Sequence, residues 1–248
     1  MSLRSLPKLL RGDDTLVGLA GRSAAVLAVP EPARAFVTAG LTQLSARHPV
    51  VVVTPTASDA ERLAHDLQAF LGEEAVDTFP AWETLPFERV SPSAETMGRR
   101  LRAMWRLKEP ERAPRVLVAS VKAMVQRLGP HVEHVEPVVV RRGDVMDATA
   151  LVARLSTLGY RREYQVEHRG ELAVRGGIVD VFPSTADAPV RVDLWGDDVD
   201  RLTSFDPNDQ RSTSDLDHAE VFGCRELVPT DEVRERAARL VGAEPWGR

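Results

Sequence analysis

The chain has 248 residues, room for one large domain or two to three small ones at roughly 100–200 residues each. Its 43% hydrophobic and 28% charged content is ordinary globular usage and argues against disorder. A net charge of −5 argues against nucleic-acid binding through the overall field, and a single cysteine, Cys224, excludes an intramolecular disulfide. No segment reaches the ~18 consecutive apolar residues of a membrane span. The apolar run around Leu9-Leu10 is too short for a signal-peptide core, so the chain is expected in the cytoplasm with no membrane partner.

The first half alternates strand and helix signals. Ala24 to Val29 is a continuous apolar run, read as a strand that Pro30 and Pro32 punctuate. Ala33 to Ser45 is expected to be a helix, with Phe36, Val37, Leu41 and Leu44 near one face. Val50 to Thr54 is apolar throughout except for its last residue, the pattern of a fully buried parallel strand. Ser58 with Glu61 three residues on forms a capping-box signal, and Gly72 ends that helix. Val76 to Phe79 is a short strand, and Pro80 to Pro92 a loop in which Trp82 and Phe87 pack onto the sheet. Ser93 to Lys108 is an amphipathic helix. Arg115 to Ser120 is another buried strand, followed by a short helix through Leu128. Buried strands alternating with helices imply an open, mostly parallel sheet.

The pattern changes after Gly129-Pro130. Val138 to Val140 starts a strand, and Asp147 caps a helix through Leu158. Four strand-like runs follow: Glu171 to Val174, Gly177 to Phe182, Val190 to Trp195 and Val199 to Phe205. The last two, split by Gly196-Asp197-Asp198, read as a hairpin. Arg211 to His218 is expected to be a linker and Asp231 to Val241 a final helix. The fold class is therefore α/β, a mostly parallel sheet domain with an inserted smaller antiparallel α+β domain.

Little catalytic chemistry is legible. A phosphate loop needs G-x-x-x-x-G-K-[ST], whose Lys neutralises the β/γ charge and whose hydroxyl holds Mg²⁺. Counted from Gly18 and passing Gly21, those two positions fall on Ala24 and Ala25, so the stretch reads as a glycine turn at a sheet edge, a degenerate phosphate loop. His131 and His134 lack a converging third ligand, and no metal site is expected. Asp197, Asp198 and Asp200 read as solvated turn residues, and Cys224 as a small hydrophobe. Arg161, Arg162, Arg169 and Arg175 crowd a short β region with Glu163, Glu167 and Glu171 interleaved. Arginine presents a rigid fork of donors suited to carboxylates on a partner protein. A solvated, self-paired face is the alternative. These residues alone lead to a binding module.

Several motifs together resemble the N-terminal region of the bacterial transcription-repair coupling factors. They are Trp82-Glu83-Thr84-Leu85-Pro86 with Ser91-Pro92, Gly176 to Pro183 (GGIVDVFP), Val190 to Asp197 (VRVDLWGD), Phe205-Asp206, and Asp209 to Ser212 (DQRS). Cys224-Arg225-Glu226-Leu227 and the helix after it fit the same region. The likeness runs from about Leu16 to Leu240. It implies a UvrB-homology module. Residues 1–127 would be domain 1a, a degenerate nucleotide-binding fold. Residues 128–211 would be domain 2, and 212–248 the truncated start of domain 1b.

The resemblance further implies that the module binds UvrA, the damage-sensing subunit of nucleotide excision repair. The partner-binding arginines carry over by spacing to Arg175 and Arg162, with Arg169 a further candidate. A third arginine of UvrB falls on Ala173, so that contact is expected to be missing. Phe182 stands between a partner contact and a core role. No catalytic residue and no cofactor are expected in this module. ATP and magnesium would serve motor domains elsewhere in the longer protein, and RNA polymerase and DNA would be met through those absent parts. The C-terminal part of that protein is a second candidate partner for domain 2. The alternative reading is a fragment of an ATP-dependent repair enzyme of the UvrB or helicase class. The missing Lys and Thr, and the absence of tyrosine from Trp82 to Glu95, stand against it.

Overall fold

The computed structural model describes residues 3–19, 21–44, 48–85, 88, 90–129 and 131–243. The chain divides into two compact units, Met1–Phe87 with Ala103–Arg127, and Glu88–Arg102 with Leu128–Arg248.

The first unit begins with a short helix α1 (Asp14–Val17), capped by the Asp13 carboxylate, which accepts the Leu16 N–H at 2.9 Å. Gly18 closes that helix, so the stretch read as a degenerate phosphate loop follows a helix rather than a strand. The expected strand over Ala24 to Val29 does not form: no neighbour pairs with it, and Val26 is 99% exposed. An extended segment without a neighbour leaves its peptide groups to water, and Pro30 and Pro32 have no N–H to donate. No helix starts at Ala24 or Ala25 either. The strand, turn and helix of a phosphate loop are therefore not assembled among the described residues here.

Then come α2 (Arg34–Leu44), β1 (Val50–Thr54), α3 (Ala57–Leu71), β2 (Val76–Phe79), α4 (Ala94–Leu107), β3 (Val116–Ser120) and α5 (Val121–Val125). The division between the units passes through α4. The α3 cap is Thr56 rather than Ser58: its hydroxyl accepts the Asp59 N–H at 3.1 Å. Phe87 lies outside the described residues, and the Trp82 N–H donates to Gln126 Oε1 at 2.8 Å.

The three strands form a parallel sheet in the order β1-β3-β2. Val76, Val116 and Val118 pack under Ala35 and Ala39 of α2 and Ala60, Ala64 and Leu67 of α3. On the other face Phe79, Leu117 and Ala119 meet Ala103, Met104 and Leu107 of α4. Central β3 is buried at every position, as its apolar run implies. Edge strand β1 is not: Val51 and Val53 stay about half exposed, because the register that buries Val52 turns them to the other face.

One buried charge interrupts this core. Arg106 donates from Nη1 to Asp77 Oδ2 at 3.0 Å, and its remaining nitrogens bond the Glu74 and Arg112 carbonyl oxygens.

The second unit holds β4 (Val138–Arg141), α6 (Ala148–Thr157), β5 (Arg161–Arg162), β6 (Glu171–Arg175), β7 (Ile178–Val181), β8 (Val190–Trp195), β9 (Asp198–Phe205), β10 (Ser212–Asp215), β11 (His218–Val221) and α7 (Asp231–Ala243). As expected, Asp147 caps α6, accepting the Ala150 N–H at 2.6 Å. A six-stranded sheet runs β10-β9-β8-β7-β6-β5, antiparallel except for the β5–β6 pair. Two-residue turns join β6 to β7 and β8 to β9, and both need a glycine in the left-handed region: Gly176 at φ 61° and Gly196 at φ 63°.

The segment read as a linker is instead β10, paired with β9, running on into β11, paired with β4. A domain boundary at 211/212 is therefore not where this unit ends. Ser212 to Asp215 carries no apolar residue, so its place as a polar edge strand left no pattern in the sequence.

Candidate functional site

Alternation sorts the six-stranded sheet into two faces. Leu172, Val179, Val181, Val190, Val192 and Leu202 form the larger core with Leu151 and Leu155 of α6 and with β4 and β11. The register places Ala173 beside Asp180, Asp180 beside Arg191, and Arg191 beside Thr203 on the opposite face. There Ala173, Phe182 and Phe205 form a second, smaller core with Val166 from the segment between β5 and β6.

Arg175 stands on this second face at the end of β6. Its Nη2 donates to Asp180 Oδ2 at 2.7 Å and reaches Gln210 Oε1 at 3.4 Å. Arg191 grips the same carboxylate with a fork, Nε to Oδ1 at 2.7 Å and Nη2 to Oδ2 at 2.9 Å. Its guanidinium also lies 4.7 Å from the Phe205 ring. Asp180 is fully buried, the Arg191 side chain is 16% exposed and the Arg175 side chain 41% exposed. The Asp180 hydrogen bond pushes the pKa of Arg191 up. Two guanidiniums share the Asp180 carboxylate, Asp193 is a further acidic neighbour of Arg191, and Arg175 is the more exposed of the two arginines.

Gln210 closes the cluster from below. Its backbone lies in the left-handed region at φ 62°. Its amide donates to the Val166 and Pro207 carbonyls, and its own carbonyl accepts from Arg191. Asp180, Arg191 and Gln210 were not singled out from sequence. The signal for the first two was present, since pairing GGIVDVFP with VRVDLWGD sets an Asp opposite an Arg. Nothing signals the backbone of Gln210.

The other candidates separate. Alternation along β5 puts Arg161 on the face of Glu171, which it meets at 3.5 Å, and Arg162 on the face of Leu172. The structure thus places Arg162 and Arg175 on opposite faces, not side by side. The Arg162 guanidinium is exposed and makes no hydrogen bond or ion pair among the described residues. Arg169 bonds the Ala186 carbonyl at 2.8 Å and Asp187 at 2.9 Å, approaches Glu95 at 3.6 Å and lies over the Phe182 ring. Those contacts fasten the 183–189 turn. Phe182, 6% exposed, belongs to the small core, as does Ala173.

Gly18, Gly21, Ala24 and Ala25 lie in the first unit, whereas this cluster lies in the second. The His131 and His134 rings stack with centroids 6.2 Å apart. No three His, Cys, Asp or Glu side chains converge among the described residues. Burial pushes the Cys224 thiol up to about 11, which keeps it protonated and a poor nucleophile at neutral pH. No helix among the described residues is long and apolar enough to cross a membrane.

The stretch carrying this sheet, residues 138–227, matches the family model described as the UvrB interaction domain. Over most of its length the chain is 42% identical, across 226 residues, to the transcription-repair-coupling factor of Mycobacterium tuberculosis (strain CDC 1551 / Oshkosh), covering 88% of this chain and 18% of that protein. The chain belongs to the transcription-repair-coupling factor family. Within that family it is 32% identical over 193 residues to the Escherichia coli (strain K12) protein, covering 77% of this chain and 16% of that one. It is 32% identical over 195 residues to the Bacillus subtilis (strain 168) protein, covering 78% and 16%. The chain thus spans under a fifth of the length of these coupling factors. The UvrB interaction domain match takes in every strand of the six-stranded sheet.

Proposed function

We propose that this chain is a UvrA-recruiting, non-catalytic module of a cytoplasmic transcription-repair-coupling factor. In the longer protein, further domains using ATP and magnesium would engage RNA polymerase and DNA, linking a stalled polymerase to nucleotide excision repair. The observation that carries the reading is the UvrB interaction domain match at residues 138–227, the stretch that presents the half-exposed Arg175. Arg175 and Arg162 are the proposed contacts to acidic groups on UvrA. Since they lie on opposite faces, a partner touching both would straddle the β5–β6 edge. Arg169, whose donors fasten the 183–189 turn, would act by holding that turn. An ATP-driven enzyme reading finds no support in the helix-led geometry around Gly18.

The test is a titration of purified UvrA against the chain at two salt concentrations, beside Arg162→Ala, Arg175→Ala and the double variant. Charge-assisted contacts at a rim weaken with salt, the Debye length being ~10 Å at 0.1 M. Salt-sensitive binding that falls with Arg175→Ala supports the reading. Binding unchanged in the double variant overturns the site, and no binding by the wild type overturns the function.

A further inference from the structure

We infer that Asp180 and Arg191 are positioning residues that hold the Arg175 guanidinium in the orientation that meets the partner. The inference rests on the reading of Arg175 as a UvrA contact. Arg191 takes both Asp180 oxygens in a fork, which fixes the carboxylate in one plane. Asp180 Oδ2, fully buried, then accepts Arg175 Nη2 at 2.7 Å. A buried anchor pins one corner of the guanidinium. Nε and Nη1 of Arg175 make no hydrogen bond among the described residues, and the side chain stays 41% exposed. A rigid fork with unspent donors suits planar, two-point recognition of a carboxylate. Arg162 is the internal contrast, because nothing among the described residues orders its guanidinium.

Two opposing effects make this testable. Asp180→Asn removes a negative charge, which by electrostatics alone strengthens attraction to an acidic partner. It also releases Arg175, whose ordering must then occur on binding. Immobilising one long side chain has a cost equivalent to about a threefold to tenfold loss of affinity. Positioning therefore predicts that Asp180→Asn weakens UvrA binding by about threefold to tenfold despite the added positive charge. In an Arg175→Ala background the same substitution should produce no further loss.

The wild-type chain supplies a readout free of any folding defect. In side-chain nitrogen relaxation, Arg175 Nε should be as ordered as the backbone of β6 while Arg162 Nε is mobile. An Arg175 as mobile as Arg162 overturns the inference, as does Asp180→Asn binding UvrA equally or more tightly while folded. If wild-type chain fails to bind UvrA, the proposed function falls, and the relaxation measurement still decides whether Asp180 orders Arg175.

Discussion

Each unit buries an aspartate against arginine, and the two sites finish differently. In the first unit Asp77 meets Arg106, whose other nitrogens are spent on the Glu74 and Arg112 carbonyls. In the second unit Asp180 meets two arginines, and one of them keeps free donors at the surface. Both sites remove a carboxylate from water, so both depend on their cations. The first consumes its charge internally and can only hold structure. The second leaves Nε and Nη1 of Arg175 unspent at the surface and can meet a partner. Whether the arginine's remaining donors are spent or free separates a lock from a contact.

The largest expected effect comes from breaking the lock. Arg106→Ala removes the guanidinium that bonds buried Asp77 and the Glu74 and Arg112 carbonyls, and should lower stability by about 3–5 kcal/mol, read from urea denaturation. The folded fraction should still bind UvrA normally. Arg175→Ala should do the reverse. Asp180 remains neutralised by Arg191, so stability should fall by under about 1 kcal/mol. UvrA affinity should fall by about 2 kcal/mol, at the low end for a charged interfacial contact. If Arg175→Ala unfolds the chain as readily as Arg106→Ala, the contrast between the two sites is lost.

Tyr160 offers a smaller, neutral comparison. Its hydroxyl donates to the Phe222 carbonyl at 2.7 Å and accepts the Ser184 N–H at 3.0 Å. Tyr160→Phe should lower the thermal midpoint by the equivalent of about 1–2 kcal/mol, with UvrA affinity unchanged.

Beside it, burial raises the Cys224 thiol from 9.0 to about 11, and Tyr160 is also pushed well above its usual value by burial. A group that holds its proton more tightly when folded favours the folded state fully below its unfolded pKa. That advantage is lost as pH rises through the folded pKa. Stability should therefore fall between about pH 9 and 11, and Cys224→Ala should make the fall shallower. An unchanged alkaline limb would show that the thiol is not buried in solution. Arg162→Ala should have the smallest effect on folding, within about 0.5 kcal/mol, because its guanidinium touches nothing among the described residues.

Legibility in the sequence followed the same division. Central β3 and the four strands β6 to β9 of the large sheet announced themselves through continuous or alternating apolar residues. The Asp147 cap and the Gly196 turn were equally plain, since each rests on local chemistry. Ala24 to Val29 shows the limit: an apolar run states a preference, but only a neighbouring strand makes it a strand. Ser212 to Asp215 shows the converse, a strand formed by pairing with no apolar residue of its own. The arginine cluster was visible as composition, yet which arginines share a face depends on register. One residue of offset along β5 separates Arg162 from Arg161, and with it from Arg175.

The rims of the six-stranded sheet have a bearing on assembly. β5 is two residues long, and β10 is exposed throughout, polar, and irregular in register between Ser212 and Ser214. Short or kinked polar borders are poor templates for a strand from another molecule. The sheet should therefore resist stacking edge to edge with copies of itself, even when concentrated. What it offers a visitor is a set of side chains with defined spacing, and selectivity then depends on which residues stand at those few positions.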